Sequence, residues 1–80
     1  MGNTESRYRR NDELIKIVGE NIRKYRKLKE LTIAELSYVS GVATNQIGSY
    51  ERGEVDTNIT MLSLIAKHIG VKTAQLFEGE

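Results

Sequence analysis

Cysteine, proline and tryptophan are absent from the 80 residues, and histidine occurs once, as His68. Without cysteine there is no disulfide, no thiolate zinc site and no cysteine nucleophile. A lone histidine argues against imidazole metal cages and catalytic triads, because no second ligand stands at metal spacing. No metal and no cofactor are therefore expected. No run approaches the roughly 18 uncharged apolar residues of a membrane span, so no membrane partner is expected. Nor does an apolar stretch near the N-terminus have the form of a secretory signal, which leaves a cytoplasmic location as the expectation. With no proline, only glycine and capping chemistry can end helices. At 39% apolar and 29% charged, the composition is that of a folded soluble chain rather than a disordered one. Its length suffices for one small domain with a thin core.

The formal net charge of +1 conceals an asymmetry. Residues 1–29 carry nine Lys/Arg against four Asp/Glu, whereas residues 30–80 carry three against seven. The basic residues of the first third are Arg7, Arg9, Arg10, Lys16, Arg23, Lys24, Arg26, Lys27 and Lys29. Such a cluster suits a polyanion, either nucleic acid or a membrane surface; the alternative is a solvated helix face.

Residues 1–11 are polar and read as a flexible basic arm, with residues 12–80 as the folded domain. Leu14, Val18, Ile22, Tyr25 and Leu28 then form one apolar stripe, which predicts a helix over about 12–29. Ile15 and Ile17 lie off that stripe, so its start is apolar on more than one side. Thr32 and Glu35 fit a capping box before a short helix at about 33–40, which Gly41 can end. Residues 44–51 form the next helix, with Ile47 and Tyr50 on its inner face. Leu62, Ile65, Ala66 and Ile69 repeat at helical spacing up to Gly70. Thr73 can cap a last turn or two carrying Leu76 and Phe77. Five helices account for almost every apolar residue, and no period-2 strand pattern is present.

The 33–50 region is the most informative. Two short helices crossing steeply need a small residue in the first, glycine at the bend and apolar residues in the second. Ser37, Gly41, Ile47 and Tyr50 meet these needs in order, with Leu36 and Val42 filling the wedge. Flanked by helices on both sides, this is a specific pattern for a helix-turn-helix.

These residues resemble the phage-repressor-like, Cro/repressor-type (XRE) helix-turn-helix family over roughly residues 18–78. The likeness rests on Gly19–Arg23 and Tyr25-Arg26, on Leu31–Leu36, and on Gly41-Val42. Ile47, the diagnostic run Tyr50-Glu51-Arg52-Gly53 and the apolar positions from Leu62 to Phe77 complete it. The resemblance implies an all-α, compact five-helix bundle of the lambda-repressor-like type. It further implies sequence-specific binding of double-stranded DNA by a transcriptional regulator, expected to be a repressor working as a homodimer on a palindromic operator. Helix three, about 44–51, would lie in the major groove. Thr44, Asn45, Gln46 and Ser49 are then the candidate base contacts, Asn and Gln suiting adenine N6 and N7. Their alternative reading is a merely polar helix start.

Arg7, Arg9, Arg10, Arg23, Lys24, Arg26, Lys27 and Arg52 are the candidate phosphate or groove contacts. By the same likeness, Arg26 and Glu51 pair structurally. Gly48, unusual in mid-helix, would let the backbone approach DNA or would simply weaken the helix. Dimer candidates are Leu76 and Phe77 in the last helix, and Leu14, Ile15 and Ile17 at the start of the first.

The chain departs from the family in three places. Ile33 stands where glutamine is usual, Ala43 where serine usually caps helix three, and Glu54-Val55-Asp56 where cations usually grip phosphate. Ile33, Tyr38 and Val39 leave helix two more apolar than a solvent face requires, which keeps open a protein-partner surface with weak or no DNA binding. An enzyme is the least expected class, since no nucleophile–base pair or phosphate-cradling glycine loop is visible.

Overall fold

The structure is a computed structural model and describes residues 10–79. Four α-helices follow one another: α1 (Asp12–Leu28), α2 (Ile33–Ser40), α3 (Thr44–Glu51) and α4 (Ile59–Ile69), then a 3-10 turn over Thr73–Phe77. Among the described residues there is no strand. Arg7 and Arg9 of the expected arm lie outside the described residues, and Asn11 belongs to the domain, because its side chain caps α1 by accepting from the Leu14 amide at 3.0 Å.

The expected fifth helix is a correction. The five residues between Lys72 and Glu78, both with extended backbone, are too few to propagate an α-helix, and they close as 3-10 instead. Its start is held by Gln75 rather than Thr73: the Lys72 amide donates to Gln75 Oε1 at 2.8 Å. Its end is fastened from α1, where Asn21 Nδ2 donates to the Leu76 and Glu78 carbonyls, both at 2.8 Å. Those carbonyls would otherwise lack partners, and the buried asparagine supplies both donors.

The core gathers Val18 and Ile22 from α1, Leu36 from α2, Val42 from the turn, Ile47 and Tyr50 from α3, and Leu62, Ile65, Ala66 and Ile69 from α4, with Leu76 at its floor. Leu28 departs from the expected stripe and is 71% exposed. It is the last residue of α1, and the chain reverses just beyond it through Glu30 (φ 62°), so Leu31 packs against the core in its place. The first and third helices cross where glycine is required. A Cβ on Gly19 would stand 2.1 Å from the Tyr50 carbonyl oxygen, closer than any atom pair tolerates. Gly19 therefore sets how deeply α3 seats on α1.

Candidate nucleic-acid interface

The bihelical unit is built by local chemistry. Thr32 Oγ1 accepts from the Glu35 amide at 3.0 Å and Glu35 Oε1 accepts from the Thr32 amide at 2.8 Å, closing the capping box at the start of α2. Gly41, at φ 79°, ends α2 in the left-handed region. Ser40 Oγ then accepts from the Val42 amide at 3.1 Å, turning Val42 into the core. Ala43 precedes α3 with extended backbone, and no side chain caps that helix. Thr44 is the first helical residue.

On α3, Ile47 and Tyr50 are buried, whereas Thr44, Asn45 and Gln46 are exposed and Ser49 is half-buried. Asn45, Gln46 and Ser49 line one shallow depression, which Asp56 and Asn58 flank from the following loop. The Asp56 carboxylate thus stands beside the reading face. The other loop carboxylate is taken up by Arg52: Glu54 Oε2 accepts from Arg52 Nε at 2.8 Å and Oε1 from Nη2 at 3.2 Å. That fork raises the Arg52 pKa and holds the Glu54 carboxyl below its ordinary range, in each case chiefly through the Arg52–Glu54 hydrogen bonds. Gly48 is buried, and the Arg52 guanidinium covers it, with Nη1 only 3.0 Å from where a Cβ would stand. The space left by the missing side chain is filled by protein, so Gly48 does not present bare backbone.

Arg26 and Glu51 form a buried fork, Nε to Oε2 at 2.6 Å and Nη2 to Oε1 at 2.9 Å, while Nη1 donates to the Leu31 carbonyl at 2.8 Å. Their side chains are 10% and 6% exposed. The hydrogen bonds to Glu51 raise the Arg26 pKa, against the opposing effect of desolvation. Arg26 is thereby removed from the candidate phosphate contacts, because its guanidinium is committed inside the domain. It welds α1 to α3 and to the chain entering α2.

Arg23, Lys24 and Lys27 are exposed on α1. Lys16, Arg23 and Lys27 share one side of the helix, seven and four residues apart, beside the seam where Gly19 and Arg26 meet α3. Lys24 points away and lies over the Tyr25 ring, 4.7 Å from its centroid. Lys16 joins this row through helix register within α1, and the packing of α1 on α3 sets the row beside the seam. Arg10 is held by Asp12 at 3.2 Å and donates to the Glu54 carbonyl at 3.3 Å.

The dimer candidates are redistributed. Leu76 is fully buried and cannot meet a partner, because its side chain closes the core. Leu14, Ile15 and Phe77, by contrast, line one apolar groove of about 820 Å³, with Val55, Ile59 and Met61 on its other wall. Two surfaces far apart in the chain are thus one. Ile17 does not line it and faces Gly79. On α2, Ile33 is half-buried against the core, which leaves Tyr38 (89% exposed) and Val39 (45% exposed) as that helix's apolar surface.

A glycine-ended α2, an α3 with its apolar side buried and a polar outward face on α3 together form a helix-turn-helix, the arrangement of a DNA-binding regulator. The chain belongs to the helix-turn-helix family HTH_3, whose pattern matches residues 22–76. It is 31% identical over 64 residues to the control protein C.SmaI of Serratia marcescens, covering 80% of this chain and 76% of that one. Among solved structures it resembles the clp gene regulator ClgR of Corynebacterium glutamicum, at 25% identity and a TM-score of 0.76 over 80% of this chain and 82% of that one. It also shares the fold of the restriction-modification controller protein C.AhdI of Aeromonas hydrophila, at 24% identity and a TM-score of 0.75, covering 79% and 96% of the two chains.

Proposed function

We propose that this protein controls transcription as a homodimer bound to a palindromic operator, acting as a repressor in the cytoplasm, and that α3 reads base edges in the major groove. The observation that carries this reading is the division of α3 into a buried apolar side and an exposed side bearing Asn45, Gln46 and Ser49. Asn45 and Gln46 each offer a donor and an acceptor together, the pattern that adenine presents in that groove. Thr44 stands at the helix start, within reach of a thymine methyl or a phosphate. Arg23, Lys27 and Lys16 supply the flanking positive charge, with Arg10 beyond them. Relatives named as a control protein and a gene regulator support the regulatory role. No catalytic step belongs to this reading.

Dimerisation is assigned to the groove between the start of α1, the start of α4 and Phe77. A single small domain has a short footprint, and two half-sites a helical turn apart multiply affinity. Ile59, 81% exposed at the groove's rim, is the apolar residue that a symmetric partner would cover. A second reading, a protein-contact face on α2, rests on the exposure of Tyr38 and Val39.

The test of the DNA reading is selection of bound fragments from random duplex DNA, followed by titration of the selected site with Asn45→Ala and Gln46→Ala. At least one variant should lose about 1–3 kcal/mol of binding free energy and relax its sequence preference. Unchanged affinity and preference in both would remove α3 as the reader.

A further inference from the structure

We infer that Glu54 acts as an internal stand-in for a DNA phosphate: it occupies Arg52 on the reading face and thereby sets the affinity of this domain for duplex DNA below what its fold would otherwise reach. This rests on the DNA-binding reading. Its own basis is the geometry around the end of α3. Arg52 follows that helix by one residue, and positions 45, 49 and 52 fall on the same helical side. The Arg52 guanidinium lies back over Gly48, the residue next to Ser49 in the chain.

Glu54 meets it with two oxygens, at 2.8 and 3.2 Å, the fork that an arginine also makes with a phosphate. The clamp is positioned by backbone rather than by chance. The Glu54 amide donates to the Ser49 carbonyl at 3.0 Å, and its own carbonyl accepts from Arg10 at 3.3 Å. The carboxylate is therefore delivered to Arg52 by a loop fixed at both faces. Yet the pair is 58% and 53% exposed, so water and salt weaken it, and a phosphate can displace the carboxylate. The domain thus carries a competitor for its own anion site, which DNA must exchange on binding.

A double-mutant cycle tests this, with wild type, Glu54→Gln, Arg52→Gln and the double variant. Each is titrated into a fluorescein-labelled 30-base-pair duplex of mixed sequence over a series of KCl concentrations. Glu54→Gln should bind about three- to tenfold more tightly near 0.1 M salt, and its salt slope should steepen by about one, as one more phosphate is neutralised. In the Arg52→Gln background the same change should gain less than twofold. An equal gain in both backgrounds would show simple removal of a repelling charge and would overturn the clamp, as would no gain at all. The clamp has a second readout without DNA: the Glu54 carboxyl, followed by NMR, should titrate below its ordinary range in wild type and rise towards it in Arg52→Gln. Wild type that fails to bind any duplex at low salt, while that NMR shift is present, would overturn the DNA reading itself and the stand-in role with it.

Discussion

Arg26 shows how one side chain can serve an interface without touching its ligand. Its guanidinium donates to Glu51 on α3 and to the Leu31 carbonyl at the entrance to α2, so the angle of the reading helix depends on it. A buried fork of this kind is costly to halve, because the survivor is left as an unpaired buried charge. Glu51→Ala should therefore lower stability by about 3–5 kcal/mol in urea unfolding, while Arg26→Met with Glu51→Leu should fall well short of that loss. Gly19 is the second such position. Its replacement by alanine forces a methyl group against the Tyr50 carbonyl, and overpacking of that sort costs about 1–3 kcal/mol, read as a lower melting temperature. Neither residue was marked for this role by hydropathy. A glycine and a charged pair are ordinary in an exposed helix, and only the crossing of α1 over α3 turns them into constraints.

At the scale of elements, α3 is short, eight residues, and begins without a side-chain cap. The Ala43 backbone is extended, as a capping residue requires, and only the oxygen is missing. Ala43→Ser should consequently stabilise the domain by about 0.5–1 kcal/mol in thermal or urea unfolding. The boundaries of α2 and α3 were legible in the chain, since Thr32, Glu35 and Gly41 are local signals that act through neighbouring backbone. The closing segment was less so, because its end is fastened by Asn21, fifty-five positions away from Leu76, and no neighbouring residue announces that contact. The groove has the same origin. Its walls come from the start of α1, the start of α4 and the final turn, and on the proposed dimer Ile59→Asp or Phe77→Glu should lower the sedimentation coefficient relative to wild type at equal concentration.

For the whole molecule, the charge is divided between a basic first third and an acidic remainder, and the fold brings part of each to the reading face. Lys16, Arg23 and Lys27 flank the α1–α3 seam, while Asp56 and the Arg52–Glu54 pair border α3. Binding to duplex DNA should weaken with salt at a slope of about −3 or steeper in log–log form, given about −0.9 for each neutralised phosphate. A flat salt response would exclude the basic row of α1 from the interface.

What the chain determined by itself is the set of elements close to their own signals: helices spaced by apolar period, α2 begun by the Thr32–Glu35 capping box, α2 and α4 ended by Gly41 and Gly70, with a polar face on α3. These follow from interactions within a few residues, which sequence order preserves. Only the tertiary structure decided that Arg26 lies inside, that Leu76 is core while Phe77 faces a groove, and that Gly19 must be bare where α1 crosses α3. Each of those depends on which surfaces the packed helices bring together. Burial, pairing and exposure are properties of that packing, and a linear pattern carries no record of them.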